Sequence, residues 1–192
     1  MIIGITGTYR AGKGTVAEYL VAQKKFKHYS VSKYIERRLR EKGIQNIGRD
    51  ELIAEGNEIR KNFGADFIVR KLYEEAEKEG GNIIIESIRC PSEAEFIKSQ
   101  KNGVLLAVDA DTLLRYRRAQ VANTLKDGVD FRKFILQELK ESSSESPNEQ
   151  NLLRCIQMAD IKIMNNGSEW DLYHEVEKEL KNLQLPGKER RY

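Results

Sequence analysis

Cysteine and histidine are scarce in this 192-residue sequence, two of each, with three prolines and one tryptophan. Cys90 and Cys155 lie far apart without metal-like spacing, and His28 and His174 are the only histidines. Neither a disulfide framework nor a His/Cys metal cluster is therefore expected. No apolar run approaches the ~18 residues of a membrane span, and the first one begins at Met1, with no signal-peptide pattern ahead of it. A cytoplasmic protein without membrane partners is the expectation. Lys and Arg number 33 against 30 Asp and Glu, a net charge of +3, which gives no overall case for a nucleic-acid partner. There is no internal repeat. A chain of this length with 40% hydrophobic and 33% charged residues suits one α/β domain with a buried sheet.

What the sequence does have is concentrated in its first twenty residues. A short apolar run, M-I-I-G-I-T, leads into G-T-Y-R-A-G-K-G-T at residues 7–15 and then into a helical pattern. The nine residues have the G-x-x-x-x-G-K form of a phosphate-binding loop, and a strand before with a helix after is the context this motif requires. Gly7 and Gly12 let the backbone curl so that the amide groups of Tyr9, Arg10, Ala11, Gly12, Lys13 and Gly14 point inward at a triphosphate. The following helix directs its positive end at the same anion. Lys13 can reach the β- and γ-phosphates, and the Thr15 hydroxyl can ligate Mg²⁺. ATP and Mg²⁺ are the expected cofactors.

Further along, strand and helix patterns alternate. Residues 26–32 read as a second strand, with Ser32 capping a helix over 33–42. Asp50 precedes a helical run that ends near Gly64, and Asp66 caps another that Gly80 and Gly81 close. Residues 82–86 carry three consecutive isoleucines, which need cover on both faces and so imply a parallel sheet. Residues 104–108 and 160–164 read as two more strands, and residues 141–151 as a polar surface loop. The sum is a three-layer α/β fold around about five parallel strands, with ligands at their carboxyl ends.

That edge gathers the candidate chemistry. Glu86, at the end of the isoleucine strand, can hold Mg²⁺ or take a proton from an acceptor hydroxyl. Arg89, just beyond, and Arg60 are candidates to clamp an acceptor phosphate, because guanidinium presents paired donors that match phosphate oxygens. Arg115 and Arg118 share one helix face and can neutralise the transferring group, whereas Arg117 points away. Asn165-Asn166-Gly167 follows the last strand, and Asn166 is placed to edge a purine.

Taken in order, these segments resemble the P-loop nucleotide kinases, the adenylate-kinase-like and dephospho-CoA-kinase-like group. The matching stretches are the G-K-G-T loop end, I-R-K-N-F-G-A-D at 59–66, E-S-I-R at 86–89, R-Y-R-R at 115–118 and the 159–167 segment. The resemblance implies a P-loop NTPase fold with strand order 2-3-1-4-5. It implies a kinase domain over 1–183 with an acceptor-binding helical segment at about 33–79 and a short lid at about 117–132; residues 184–192 themselves read as a basic tail. It also implies ATP·Mg²⁺ on Lys13 and Thr15, an acceptor phosphate on Arg89, and lid roles for Arg115 and Arg118. The chain departs from the pattern in two places. Glu86 stands where monophosphate kinases carry Asp. Residues 31–36 replace a T-G-D-x-x-R stretch, so Arg37 is the nearest acceptor arginine and lies one step off. Dephospho-CoA kinases carry an Asp where this chain has Ser32 and Lys33. The expected function is ATP-dependent transfer to a small phosphate-bearing acceptor, a nucleoside or deoxynucleoside monophosphate. The alternatives are a hydroxyl-directed kinase with Glu86 as base, and a nucleotide-binding regulator with weak turnover.

Overall fold

Successive side chains on a strand point to opposite faces, so the runs Ile2-Ile3 and Ile83-Ile84-Ile85 each demand two cores. The structure, a computed structural model, describes residues 1–122, 124, 130–142, 144 and 149–184. Its first half runs β1 (Ile2–Thr6), α1 (Lys13–Lys24), β2 (Lys27–Ser30), α2 (Val31–Glu41), α3 (Arg49–Phe63), α4 (Phe67–Glu79) and β3 (Ile83–Ile88). It continues as α5 (Pro91–Ser99), β4 (Gly103–Asp109), α6 (Thr112–Ala122), α7 (Phe131–Ser142), α8 (Leu152–Met158), β5 (Ile161–Met164) and α9 (Glu169–Gln184). The five strands form one parallel sheet in the order β2-β3-β1-β4-β5.

Both cores are present. Ile2, Ile83 and Ile85 pack with Val31, Ile35, Ile59, Ile68 and Ile97 under α2 to α5. Ile3, Ile5 and Ile84 pack with Val16, Leu20, Leu172 and Val176 under α1 and α9. Each buried isoleucine contributes roughly 1.5–3 kcal/mol by leaving water, enough to fix which face of every strand looks which way. That in turn fixes which residues emerge at the carboxyl edge.

Three local details differ from the sequence expectation. β2 stops at Ser30, whose Oγ accepts from the Lys33 amide at 3.3 Å, so Ser30 and not Ser32 caps α2. Asp66 stands at the N-cap of α4 as expected, but its side chain makes no capping bond; its carboxylate pairs instead with Arg70 at 2.7 Å. β3 runs past Glu86 to Ile88, and its register with β1 slips by one residue between Ile5 and Thr6. The bulge falls at Ser87, which adopts φ +70°. A non-glycine residue held in the left-handed region, next to Glu86 at a ligand-facing strand end, marks a backbone whose surroundings over-determine it.

Candidate active site

The loop between β1 and α1 is pinned from several sides. Gly7 has φ +132°, and a Cβ there would lie 1.8 Å from the Val108 carbonyl oxygen. Gly12 has φ +106° and sits against Asn165, whose Nδ2 would be 2.4 Å from an added Cβ. Only glycine fits either position. Thr8 donates its hydroxyl to the Asp109 carboxylate at the end of β4. Asn165 donates to the Ala11 carbonyl at 2.8 Å from just beyond β5. Among the described residues no side chain caps α1, whose N-terminus starts at this loop, so its first amide groups are left for an anion such as phosphate.

Lys13 folds back over the loop, donating to the Gly7 carbonyl at 2.9 Å and the Thr8 carbonyl at 2.7 Å. Burial, assisted by the nearby Arg89 charge and opposed by Glu86, lowers its pKa to about 8. An ammonium is what a triphosphate needs. As pH rises through 8 the free protein loses that charge, and nucleotide binding must then take up a proton. Nucleotide affinity is therefore expected to hold up to about pH 8 and then fall, by at most about tenfold per pH unit; isothermal titration between pH 7 and 9.5 checks this. The same shift works the other way on stability. The unfolded chain keeps the Lys13 proton up to the ordinary lysine value of 10.5, so between 8 and 10.5 this group makes stability rise with pH.

In front of the loop lies a cleft of about 770 Å³ that reaches from Gly167 and Leu172, past Lys13 and Thr15, to Glu36, Leu52 and Ile53 on α2 and α3. Glu86 stands in it, accepting from Ser30 Oγ at 2.9 Å and Ser87 Oγ at 2.8 Å, with His28 Nε2 3.9 Å away. Burial lowers the His28 pKa against the pull of that carboxylate. Among the described residues no group of three His, Cys, Asp or Glu side chains could hold a metal by itself. Thr15 and Glu86, both lining the cleft, suit a Mg²⁺ that keeps most of its ligands as water and phosphate oxygens.

Arg89 also lines the cleft, but it is not alone there. Its Nη1 pairs with the Glu141 carboxylate, which is 1% exposed and also accepts from Arg49 Nε at 2.8 Å. Burial alone would raise the Glu141 pKa; the two guanidiniums overcome it and hold the carboxyl at about 2. Arg49 in turn lies over the Tyr9 ring at 4.5 Å, so α3 touches the phosphate loop.

The other candidate residues divide. Arg118 reaches the cleft and donates to the Asn165 carbonyl at 2.9 Å. Arg115, on the same helix face, turns inward instead. Its Nε donates to the Ala110 carbonyl at 2.7 Å, and Nη1 reaches the Tyr9 carbonyl at 3.4 Å while pairing with Glu138. Arg115 braces the back of the loop. Asn166 does not line the cleft: its Oδ1 accepts from the Asp111 amide at 2.8 Å, ahead of α6. Its neighbour Asn165 faces the loop. Arg37 is corrected too, since it is exposed, lies over the Tyr34 ring and does not line the cleft. The expected loop at 141–151 begins late, because Glu141 and Ser142 complete α7, and Gln150 is buried against the cleft. Residues 143 and 145–148 of that stretch, with 123 and 125–129 of the expected lid and 185–192 of the expected tail, lie outside the described residues.

Arg60 is the clearest correction. Its side chain is 0% exposed, and both Nε and Nη2 lie 2.9 Å from Glu93 Oε1, itself fully buried. Glu93 Oε2 accepts from the Arg89 and Cys90 amides at 2.9 and 3.0 Å. Arg60 thus neutralises the carboxylate that fixes the backbone bearing Arg89, and it cannot reach an acceptor. Gly56 makes the room, since a Cβ there would lie 2.9 Å from Arg60 Nη1. Arg60→Ala is expected to cost about 3–5 kcal/mol of stability by stranding Glu93, read as a lowered urea midpoint. An acceptor-contacting arginine would raise KM and leave the midpoint alone.

Comparison with known proteins agrees with this fold. A family model described as an AAA domain, AAA_18, matches residues 3–158. A UPF0200 protein of Staphylothermus marinus is 30% identical over 125 residues, 65% of this chain and 63% of that protein's length. A dephospho-CoA kinase of Fusobacterium nucleatum is 29% identical over 195 residues, 93% of this chain and 96% of that protein. In fold, the chain is similar to a shikimate kinase of Bacteroides thetaiotaomicron, with a TM-score of 0.63, 18% identity, and coverage of 96% of this chain and 99% of that one. Among the described residues no helix is long and apolar enough to cross a membrane. The chain belongs to the AAA_18 family and has the fold of a P-loop kinase.

Proposed function

We propose that this protein is an ATP-dependent kinase that transfers the γ-phosphoryl group to a small phosphate-bearing acceptor, of the class of nucleoside or deoxynucleoside monophosphates. The observation that carries the reading is that one cleft holds both the Lys13 loop and, beside it, Arg49 and Arg89. In this reading Asn165, Gly167 and Leu172 border the nucleobase of the donor. The loop amides and Lys13 hold its phosphates, and Thr15 and Glu86 hold Mg²⁺, which when bound neutralises the phosphate charge. Arg118 neutralises charge on the transferring group, with Arg115 as the brace behind the loop. The acceptor lies against α2 and α3, inside the 33–79 segment. An acceptor phosphate oxygen is already anionic, so positioning and charge neutralisation suffice and no general base is needed.

A second reading has an observation of its own. The Fusobacterium relative is named a dephospho-CoA kinase, and Glu86 lines the cleft with one serine hydroxyl on each oxygen. There Glu86 takes the proton of an attacking hydroxyl. ADP release from ATP and Mg²⁺, measured with a panel of NMPs, dNMPs and small alcohols, tests the proposal. Stimulation by monophosphates is the expected result. Stimulation by alcohols alone selects the second reading, and tight ATP binding with no stimulation by any acceptor leaves a regulator.

A further inference from the structure

On the acceptor side of the cleft two cations are held by a carboxylate that belongs to the protein itself. Glu141 is buried on α7 between Arg49 and Arg89, which come from α3 and from the segment after β3. Arg49 Nη1 and Nη2 are buried and make no hydrogen bond among the described residues. The pair therefore presents more donors than one carboxylate uses. One turn earlier on the same helix, Glu138 holds Arg115, with Nη2 3.1 Å from Oε2. Arg115 and Arg49 both touch Tyr9, one at its carbonyl and the other over its ring. Two carboxylates on one face of α7 thus tether three arginines around the phosphate loop.

We propose that Glu141 is an internal anion filling the acceptor-phosphate position between Arg49 and Arg89, and that the acceptor must displace it to bind. This rests on the kinase reading above for the identity of what displaces it. The consequence is a chemical filter. A tethered carboxylate is present at a high effective concentration, so a ligand with one negative charge and two oxygens gains nothing by replacing it. A phosphate monoester brings about −1.5 to −2 charge at pH 7 and three acceptor oxygens, enough to engage both guanidiniums including the unused Arg49 donors. The site thus selects phosphate monoesters over carboxylates and phosphodiesters. Displacement also loosens α7, which carries Glu138 and so reaches Arg115 and the loop.

The test titrates inorganic phosphate, and separately acetate, into protein saturated with Mg²⁺ and a non-hydrolysable ATP analogue, so that the Lys13 loop is already filled. In the wild type, phosphate is expected to bind weakly and acetate not at all. In E141Q phosphate is expected to bind at least about tenfold more tightly, acetate to begin to bind, and phosphate to raise the unfolding temperature more than in wild type. E141D, which keeps the charge on a shorter arm, gives a smaller gain in phosphate affinity and carries the test if E141Q does not fold. Phosphate binding no tighter in either variant than in wild type overturns the proposal. Tight phosphate binding by E141Q in a protein that phosphorylates no acceptor would leave the internal anion standing and defeat the kinase reading instead.

Discussion

Lys13→Ala is expected to abolish phosphoryl transfer, lowering kcat/KM by about a thousandfold or more, the scale on which a single donor to developing charge matters. The Lys13 Nζ is within 2.9 Å of the Gly7 and Thr8 carbonyl oxygens. From there a short swing brings it to a phosphate held by the loop amides. The same variant should still fold. Burying the ammonium costs enough to lower its pKa to about 8, and this cost offsets much of what its two hydrogen bonds contribute. Circular dichroism and an unfolding curve close to wild type, beside a lost rate, separate catalysis from stability. Retained activity would mean that the loop is not the donor site.

Glu86→Gln should have the next largest effect, and its form discriminates between two chemistries. If Glu86 holds Mg²⁺, the amide keeps the shape but loses the charge. Turnover then falls by about tenfold to a hundredfold, and the Mg²⁺ concentration for half activity rises. If Glu86 is a general base, the loss is about 10²- to 10⁴-fold, and the acid limb of the pH–rate profile disappears with it. The proposed monophosphate acceptor predicts the first pattern. Ser30 and Ser87 can both remain as partners, because the amide oxygen accepts from one of the two hydroxyls that now bond the carboxylate and the amide NH2 donates to the oxygen of the other.

The framework was legible because it rests on local patterns. The three-isoleucine run could be satisfied only by a two-faced parallel strand, and the glycine–lysine loop needed a strand before it and a helix after it. The sites that escaped notice depend on partners far away in the chain. Arg49 reads as an ordinary charge at a helix start, and only the contact with Glu141, 92 residues on, makes it part of the cleft. Glu141 opens a polar stretch and looks solvated until α7 is folded against α3. Two errors had a usable signal. Arg49, Ile53, Gly56 and Arg60 recur at helical spacing on one buried face of α3, which places Arg60 inside the protein. Alternation along β5, with Ile161 and Ile163 inward and Lys162 and Met164 outward, carried one residue further points Asn165 at the loop and Asn166 at solvent.

The central claim is that this cleft moves a phosphoryl group from a nucleotide to a phosphate-bearing small molecule. Its most direct test is product analysis by ³¹P nuclear magnetic resonance after incubation with ATP, Mg²⁺ and each nucleoside monophosphate in turn. A new diphosphate resonance is expected to grow in step with ADP for at least one acceptor and to be absent with Lys13→Ala. ADP accompanied only by free inorganic phosphate across the whole set, at a rate no acceptor changes, would contradict it.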